Sequence, residues 1–343
     1  MREKKWHLPK VIFGTSGLGN LFVALDETTK REIIRQCVLL SNGHTVFDTA
    51  GKYGAGLALE VLGKYLQELN IPPQQVTISN KLGWLRCELK TPEPTFEPGV
   101  WKNLQYDAVQ KISYEGILEC FEKGNALLKR YIPQMVSVHD PDEYLAADTN
   151  NAHHRYQHIL DAYSALFELK QKGRVQAVGV GAKDWRIIQR IVQDVPLDWV
   201  MFANSMTILR HPPQLMRFME ELDQKGITII NSAVFHSGFL ADTDYFDYKR
   251  IQPGTSENDE LFHWRDQFFA ICDKFEVKPA VACVQFALHV PGVKGIALNT
   301  TSPRRIRENI EMAYASIPDA FWKELNKAGL ISTDHLLTRT LNS

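Results

Sequence analysis

A closed barrel of eight parallel strands, each followed by a helix, is the fold this sequence predicts. Two observations predict it. Eight short apolar segments rich in β-branched residues recur along the chain, and longer amphipathic stretches of helical period lie between them. Three successive segments also end on ionisable residues, which is where a parallel barrel gathers its chemistry. Strand and helix repeated eight times close a barrel more naturally than they extend an open sheet. The fold class is therefore α/β, a (β/α)8 TIM barrel with long loops after strands 3 and 7. All 343 residues are read as one domain, 1–343, because such barrels commonly run as one unit of about 250 residues or more.

The elements follow in order. The first strand is VIFG near residue 11, succeeded by the turn GTSGLGN and the helical stretch TTKREIIRQCVLLSNG. The second, HTVFDT near 45, stops where glycines begin, so FDTAGKYGAG places Asp48 and Tyr53 at its carboxyl end; the helix LALEVLGKYLQEL comes next. The third, VTISNKL near 76, carries Lys81, and the fourth, MVSVHD near 135, carries His139. Between them lies SYEGILECFEKGNALLKRY, a helix. RYQHILDAYSALFELKQKG leads into the fifth strand, VQAVGVG near 175. WVMFAN near 199, GITIINSAV near 226 and GIALN near 295 are the sixth to eighth, with PPQLMRFMEELDQKG as a helix before the seventh. Several helices end in Lys-Gly or Asn-Gly, a helix stop.

Two stretches break the rhythm. Residues 83–112 are proline-rich where a plain unit needs a short loop, and this irregular insertion starts on the face that carries Lys81. Residues 238–258 follow the seventh strand on the same face. Trp84, Trp101, Tyr245, Phe246 and Tyr248 argue for ordered walls around a substrate rather than disorder.

Composition narrows the function classes. Apolar residues make up 44% and charged residues 23%, and the formal net charge is −1. No long basic block interleaved with aromatic residues is present, so a nucleic-acid partner is not expected. The amino-terminal MREKKWHLPKVIFG lacks an apolar segment of signal-peptide length, and no run of about 18 apolar residues occurs. The expectation is a cytoplasmic chain without a membrane anchor. The five cysteines are scattered with no CxxC, as expected of buried thiols rather than disulfides or a zinc ribbon. His153, His154 and His158 invite a metal reading because positions i and i+4 share a helix face, but no third ligand has suitable spacing, and a solvated helix start is expected instead of a metal.

Four residues carry the chemistry: Asp48, Tyr53, Lys81 and His139. A tyrosine, whose ordinary pKa is about 10, becomes a useful acid and base at neutral pH when a cation stabilises its phenolate. Lys81 can supply that charge. Asp48 can compensate a buried ammonium, which is costly unpaired. His139 can orient the substrate oxygen or relay a proton. Such a tyrosine suits proton exchange with an alcohol or carbonyl oxygen while hydride moves at carbon.

FDTAGKYGAG with ALEVLGKYL after it, NKLG and VHDPD resemble the signatures of the aldo-keto reductases. The resemblance spans the chain from GTSGLGN to SPRRIRENIE. It implies that Asp48, Tyr53, Lys81 and His139 form the catalytic tetrad and that a nicotinamide cofactor, NAD or NADP, binds without a Rossmann fold. ISYEGILECFEKGNALLKRYIPQMVSVHDPDEY and NSAVFHSGFLAD are similar to the aldose 1-dehydrogenase subgroup, of the D-threo-aldose or L-fucose type. The expected reaction is oxidation of an L-fucose-like pyranose at C1 to a lactone, with Tyr53 as general acid and base. The alternatives are a general aldehyde or carbonyl reductase, a pyridoxal dehydrogenase, or a cofactor-binding regulatory subunit. The expected partner is a small sugar or aldehyde.

Cofactor candidates follow from the same segments. Phe235, Ser237, Gly238 and Leu240 lie in the loop after strand seven, where SGFL either offers backbone N–H groups to a pyrophosphate or forms a plain turn. LNTTSPRRIREN resembles the segment that grips the adenosine end. It contributes Asn299, Thr300, Arg305 and Asn309, while Arg304 and Arg307 read as a solvated face. Asn299 stands where many NADP-specific members have lysine, and a 2′-phosphate is best held by several cations, so NAD or dual use is expected. Ser232 replaces a tyrosine that often stacks on the nicotinamide. Gly181 and Ala182 replace a Ser-Asn pair, and Asn204 stands near the family's strand-six glutamine. Lys183 either reaches the carboxamide or is a loop lysine. Asp140, Asp142, His236 and Asn204 are the candidates for contact with substrate hydroxyls.

Overall fold

A computed structural model describes residues 8–332 except residue 248; the first seven residues, Tyr248 and the segment after Ser332 lie outside it. Twelve strands are present among the described residues: β1 Val11–Gly14, β2 Thr45–Ala50, β3 Val76–Leu82, β4 Trp84–Glu88, β5 Tyr106–Gln110, β6 Met135–His139, β7 Ala177–Ala182, β8 Trp199–Ala203, β9 Thr228–Ser232, β10 Tyr245–Phe246, β11 Lys249–Arg250 and β12 Val293–Asn299. Eight of them close a barrel in the order β1, β12, β9, β8, β7, β6, β3, β2. Every pairing in it is parallel. These are the eight apolar segments of the sequence.

The helices wrap the barrel: α1 Glu27–Leu40, α2 Leu57–Glu68, α3 Tyr114–Leu128, α4 Pro141–Ala146, α5 Ala152–Gln171, α6 Trp185–Asp194, α7 Pro213–Gln224, α8 Ser256–Lys274, α9 Pro279–His289, α10 Arg305–Tyr314 and α11 Asp319–Lys327. Short polar side chains start several of them by satisfying first-turn amides. Asp26 accepts from the Thr29 amide at 2.8 Å, and Ser113 accepts from that of Gly116 at 3.0 Å. Each helix turns an apolar stripe inward, as α1 does with Ile33, Ile34 and Cys37. Fully burying each such side chain contributes about 1.5–3 kcal/mol.

Inside the barrel, Ile12, Val46, Met135, Ala177, Trp199, Met201 and Ile230 form a separate apolar plug. Trp199 fills its centre because Gly179 faces it: a Cβ at residue 179 would stand 2.2 Å from the indole. The mouth above this plug is polar, so the site has an apolar floor.

Both long loops are more regular than the sequence suggests. In the first, β4 and β5 pair antiparallel, from Trp84 opposite Gln110 to Glu88 opposite Tyr106. Asp107 holds the proline-rich connection by accepting from the Thr95 amide at 3.1 Å and its hydroxyl at 2.7 Å. The reading of 83–112 as irregular is thereby corrected. Prolines mark only the tip, while WLRCE and YDAVQ pair as a ladder that β-propensity alone does not register. The second loop carries a 3-10 turn, His236–Ala241, and the two-residue pair β10 and β11 before α8 begins. Cys37, Cys120, Cys272 and Cys283 are buried free thiols, and Cys87 is half-buried. No described helix is long and apolar enough to cross a membrane.

Candidate active site

Strand register sets the four side chains. Asp48 of β2 lies opposite Ser79 of β3, Lys81 opposite Ser137 of β6, and His139 opposite Gly181 of β7. Asp48, Lys81 and His139 are all buried. Lys81 Nζ donates to Asp48 Oδ2, and Ser79 Oγ donates to Asp48 Oδ1 at 3.2 Å. The ammonium also reaches the Thr49 carbonyl at 3.4 Å and lies 4.8 Å from the centroid of the Tyr53 ring. The His139 ring meets Tyr53 edge-on at 5.7 Å between centroids. All four predicted residues therefore meet at one mouth of the barrel.

Tyr53 is placed by its backbone. Its turn folds against the turn after β1, where Gly19 and Gly54 touch: a Cβ on Gly54 would stand 2.3 Å from the Gly19 carbonyl oxygen, and Gly54 itself has φ +62°. The glycine spacing of GKYGAG is thus a steric requirement of the turn that presents the phenol. The insertion supplies a wall. Trp101 lies 6.0 Å from Tyr53, Phe96 lies 6.2 Å from Trp101, and Trp84 lies 5.8 Å from Phe96. Trp101 and Phe96 are buried.

Burial, with Lys81 and Lys52 adding positive charge, holds His139 well below the usual histidine range. Its ring is therefore neutral at physiological pH. Burial also lowers the imidazoles of His211 and His236. The unfolded chain takes up protons near pH 6.5 that these three folded sites resist, so unfolding becomes easier as pH falls below that value. We expect urea midpoints to decline from pH 7 to pH 5, with about 1.4 kcal/mol lost per pH unit for each proton bound only by the unfolded chain. A flat or rising profile over that window would show that these histidines titrate normally in the fold.

The cofactor candidates occupy the neighbouring loops. Asn204, at the end of β8, has φ +57° and is buried, and its Oδ1 finds no partner among the described residues. Asn309 on α10 is likewise buried with an unpartnered Nδ2. Arg305 opens α10 at the surface. Ser237 and Gly238 have φ +60° and +100°, a left-handed turn in the loop after β9. The amides of Gly238 and Leu240 both donate to the Phe235 carbonyl, at 3.0 and 3.2 Å. The Leu240 side chain is in the core. Asn299 accepts from the Gly17 amide at 3.1 Å, tying β12 to the turn after β1. Thr300 Oγ1 bonds within its own turn, to Ser302. Ser232 Oγ donates to the Phe202 carbonyl at 3.1 Å. The orphaned polar atoms on Asn204 and Asn309 suit a polar ligand better than an apolar one.

A cleft of about 830 Å3 opens beside the tetrad, walled by Lys183, Trp185, Asn204, Ser205, Leu209, Arg210, His211, Asp247, Trp264 and residues 329–332, among others. None of the four tetrad side chains lines it. Asn204 and Lys183 connect it to the barrel mouth, since both stand just beyond strand ends.

Three expected substrate contacts are engaged elsewhere. His236 is fully buried, bound at Nε2 to Thr207 Oγ1 and at Nδ1 to Asp247 Oδ1, each at 2.8 Å. It latches the loop after β9 to the loop after β8 and faces no substrate. Asp142 Oδ2 accepts from the amides of Lys183 and Asp184, and Asp140 binds Lys52. Lys183 Nζ donates to Glu143. His158 bonds Tyr144 at 2.7 Å through Nδ1. Sequence reasoning passed over Lys52, whose carboxylate partners are far away in the chain, and Ser79, which the alternation of β3 already turns towards Asp48.

Known proteins resemble the chain in sequence and in fold. The chain is 28% identical over 331 residues to pyridoxal 4-dehydrogenase of Microbacterium luteolum, covering 93% of each sequence. It is 27% identical over 333 residues to D-threo-aldose 1-dehydrogenase of a Pseudomonas species, covering 95% of each. The fold superposes on an aldo-keto reductase from Bacillus halodurans with a TM-score of 0.69 at 17% identity, across 97% of both chains. Residues 10–329 match the sequence profile described as "Aldo/keto reductase family", and with a closed barrel and a polar mouth of the expected residues the chain belongs to that family of oxidoreductases.

Proposed function

We propose that this protein is an NAD(P)-dependent dehydrogenase that oxidises an L-fucose-like aldose at C1 to a lactone, with Asp48, Tyr53, Lys81 and His139 as its catalytic residues. The observation that carries the reading is the Lys81 ammonium held between Asp48 and the Tyr53 ring at the barrel mouth. The nicotinamide, when bound, supplies the hydride acceptor. Tyr53 takes the proton of the anomeric hydroxyl. Lys81 stabilises the negative charge that passes through the phenol oxygen. Asp48, fixed by Ser79, keeps that ammonium paired and in place. Neutral His139 bonds the substrate oxygen without adding charge. The wall of Trp84, Phe96 and Trp101 excludes water from one side of the site.

Asn204, Ser237, Arg305 and Asn309 are the residues that would hold the dinucleotide, with Ser232, Phe235, Gly238, Leu240 and Thr300 shaping the turns around it. Asn299 offers no cation to a 2′-phosphate and is already bonded to Gly17, which favours NAD or dual use. The aromatic wall, and a relative named for pyridoxal oxidation at 28% identity, support a second reading in which a flat aromatic aldehyde is the substrate. Absorbance at 340 nm with NAD or NADP and a panel of L-fucose, L-galactose, D-arabinose, xylose and pyridoxal separates the two. We expect reduction of NAD with one of the first three sugars. Turnover confined to pyridoxal would select the second reading, and silence across the panel would overturn both.

A further inference from the structure

Lys52, the residue before Tyr53, is almost wholly buried, yet its side chain is surrounded by acids. Its Nζ lies 2.8 Å from Glu97 Oε1 of the insertion, 3.1 Å from Asp140 Oδ2 and 2.8 Å from Glu143 Oε2 of α4. It also lies 5.3 Å from the centroid of the Trp84 ring. Asp140 Oδ2 is shared: it stands 3.5 Å from His139 Nε2. One ammonium thus stands between three carboxylates and the imidazole of the tetrad. The charged and titratable groups that face His139 are Lys81 from β3, Lys52 and Tyr53 from the turn after β2, Asp140 from the turn after its own strand, Glu143 from α4, and Lys183 from the turn after β7. Lys52 reaches all three of these carboxylates, and Lys183 also pairs with Glu143.

We propose that Lys52 is a positioning residue: it neutralises Asp140 and Glu143 so that His139 stays uncharged when substrate arrives, and it ties the aromatic insertion to that same charge balance through Glu97. Without Lys52, the carboxylate of Asp140, 3.5 Å from His139 Nε2, would lose its compensating cation, and its charge would favour the protonated imidazole. A charged His139 would donate a stronger hydrogen bond to the substrate oxygen, hold negative charge there once Tyr53 has taken the proton, and so oppose departure of hydride from C1. This inference rests on the catalytic role proposed for His139, but its test does not depend on turnover.

The test is the titration of the His139 ring by NMR of protein labelled at histidine, with the signal assigned by His139→Gln. In the unaltered protein and in Lys52→Arg, which keeps the cation, the ring should remain neutral to low pH. In Lys52→Met it should titrate at least about one pH unit higher, a tenfold gain in proton affinity. Lys52→Gln, which keeps hydrogen-bond donors without the charge, serves where Lys52→Met does not fold. A folded Lys52→Met or Lys52→Gln protein with an unchanged His139 titration overturns the inference, and so does a Lys52→Arg protein that shifts as far as they do. Failure of the function reading shows differently, as normal turnover by Tyr53→Phe.

Discussion

Replacing Tyr53 by phenylalanine should lower turnover by about 10²–10⁴-fold, the usual contribution of a positioned acid and base, and leave dinucleotide affinity within about twofold. The substitution removes one oxygen and no packing, since the ring keeps its contacts with Trp101, His139 and the Lys81 ammonium. A structural role for the hydroxyl would surface as lost stability with little change in rate. A chemical role surfaces as lost rate at constant stability. The same variant also tests the charge logic, because Lys81 beside a phenyl ring has no phenolate to stabilise. If pre-steady-state absorbance shows undiminished hydride transfer in Tyr53→Phe, Tyr53 is not the acid and base and the proposed mechanism falls.

How much of this was legible in the sequence depends on the range of the physical cause. Strands such as VTISNKL declare themselves through local β-branched content, and a side chain at a strand end is at the barrel mouth whatever the rest of the chain does. Asp48, Tyr53, Lys81 and His139 were found for that reason, although the strands that carry them lie up to about 90 residues apart. Lys52 was not, because its meaning comes from Asp140 and Glu143, 88 and 91 residues away, and no periodicity links such positions. His236 was misassigned for a related reason. A histidine in a polar loop resembles a ligand contact until Thr207 of another loop and Asp247 farther along its own occupy both of its nitrogens. The insertion hid its hairpin because prolines at the tip dominated the reading. SGFL was foreseen as either an anion nest or a plain turn, and the bonds from Gly238 and Leu240 to Phe235 show a turn closed on itself, from which anion binding would require those amides to turn outward.

Asp48 and Lys81 offer the other large effect, because their roles in folding and in chemistry can be separated. Each is buried, and removing one partner leaves the other as an uncompensated charge, which costs about 3–5 kcal/mol. Asp48→Asn and Lys81→Met should therefore each lower the urea midpoint sharply as well as stop turnover. The double variant Asp48→Asn/Lys81→Met removes both charges at once and leaves residue 48 able to bond the Ser79 hydroxyl. It should recover much of the stability lost by either single variant, since a buried ion pair replaced by a neutral pair is often no less stable than the original. Turnover should not recover with it, because the cation beside Tyr53 is still missing. That divergence is the informative result: stability restored and rate still lost means that the protein retains this buried pair for its action on the phenol. A double variant as unstable as the sum of the singles would instead show two independent structural roles, and turnover retained by Lys81→Met would remove the lysine from the chemistry altogether.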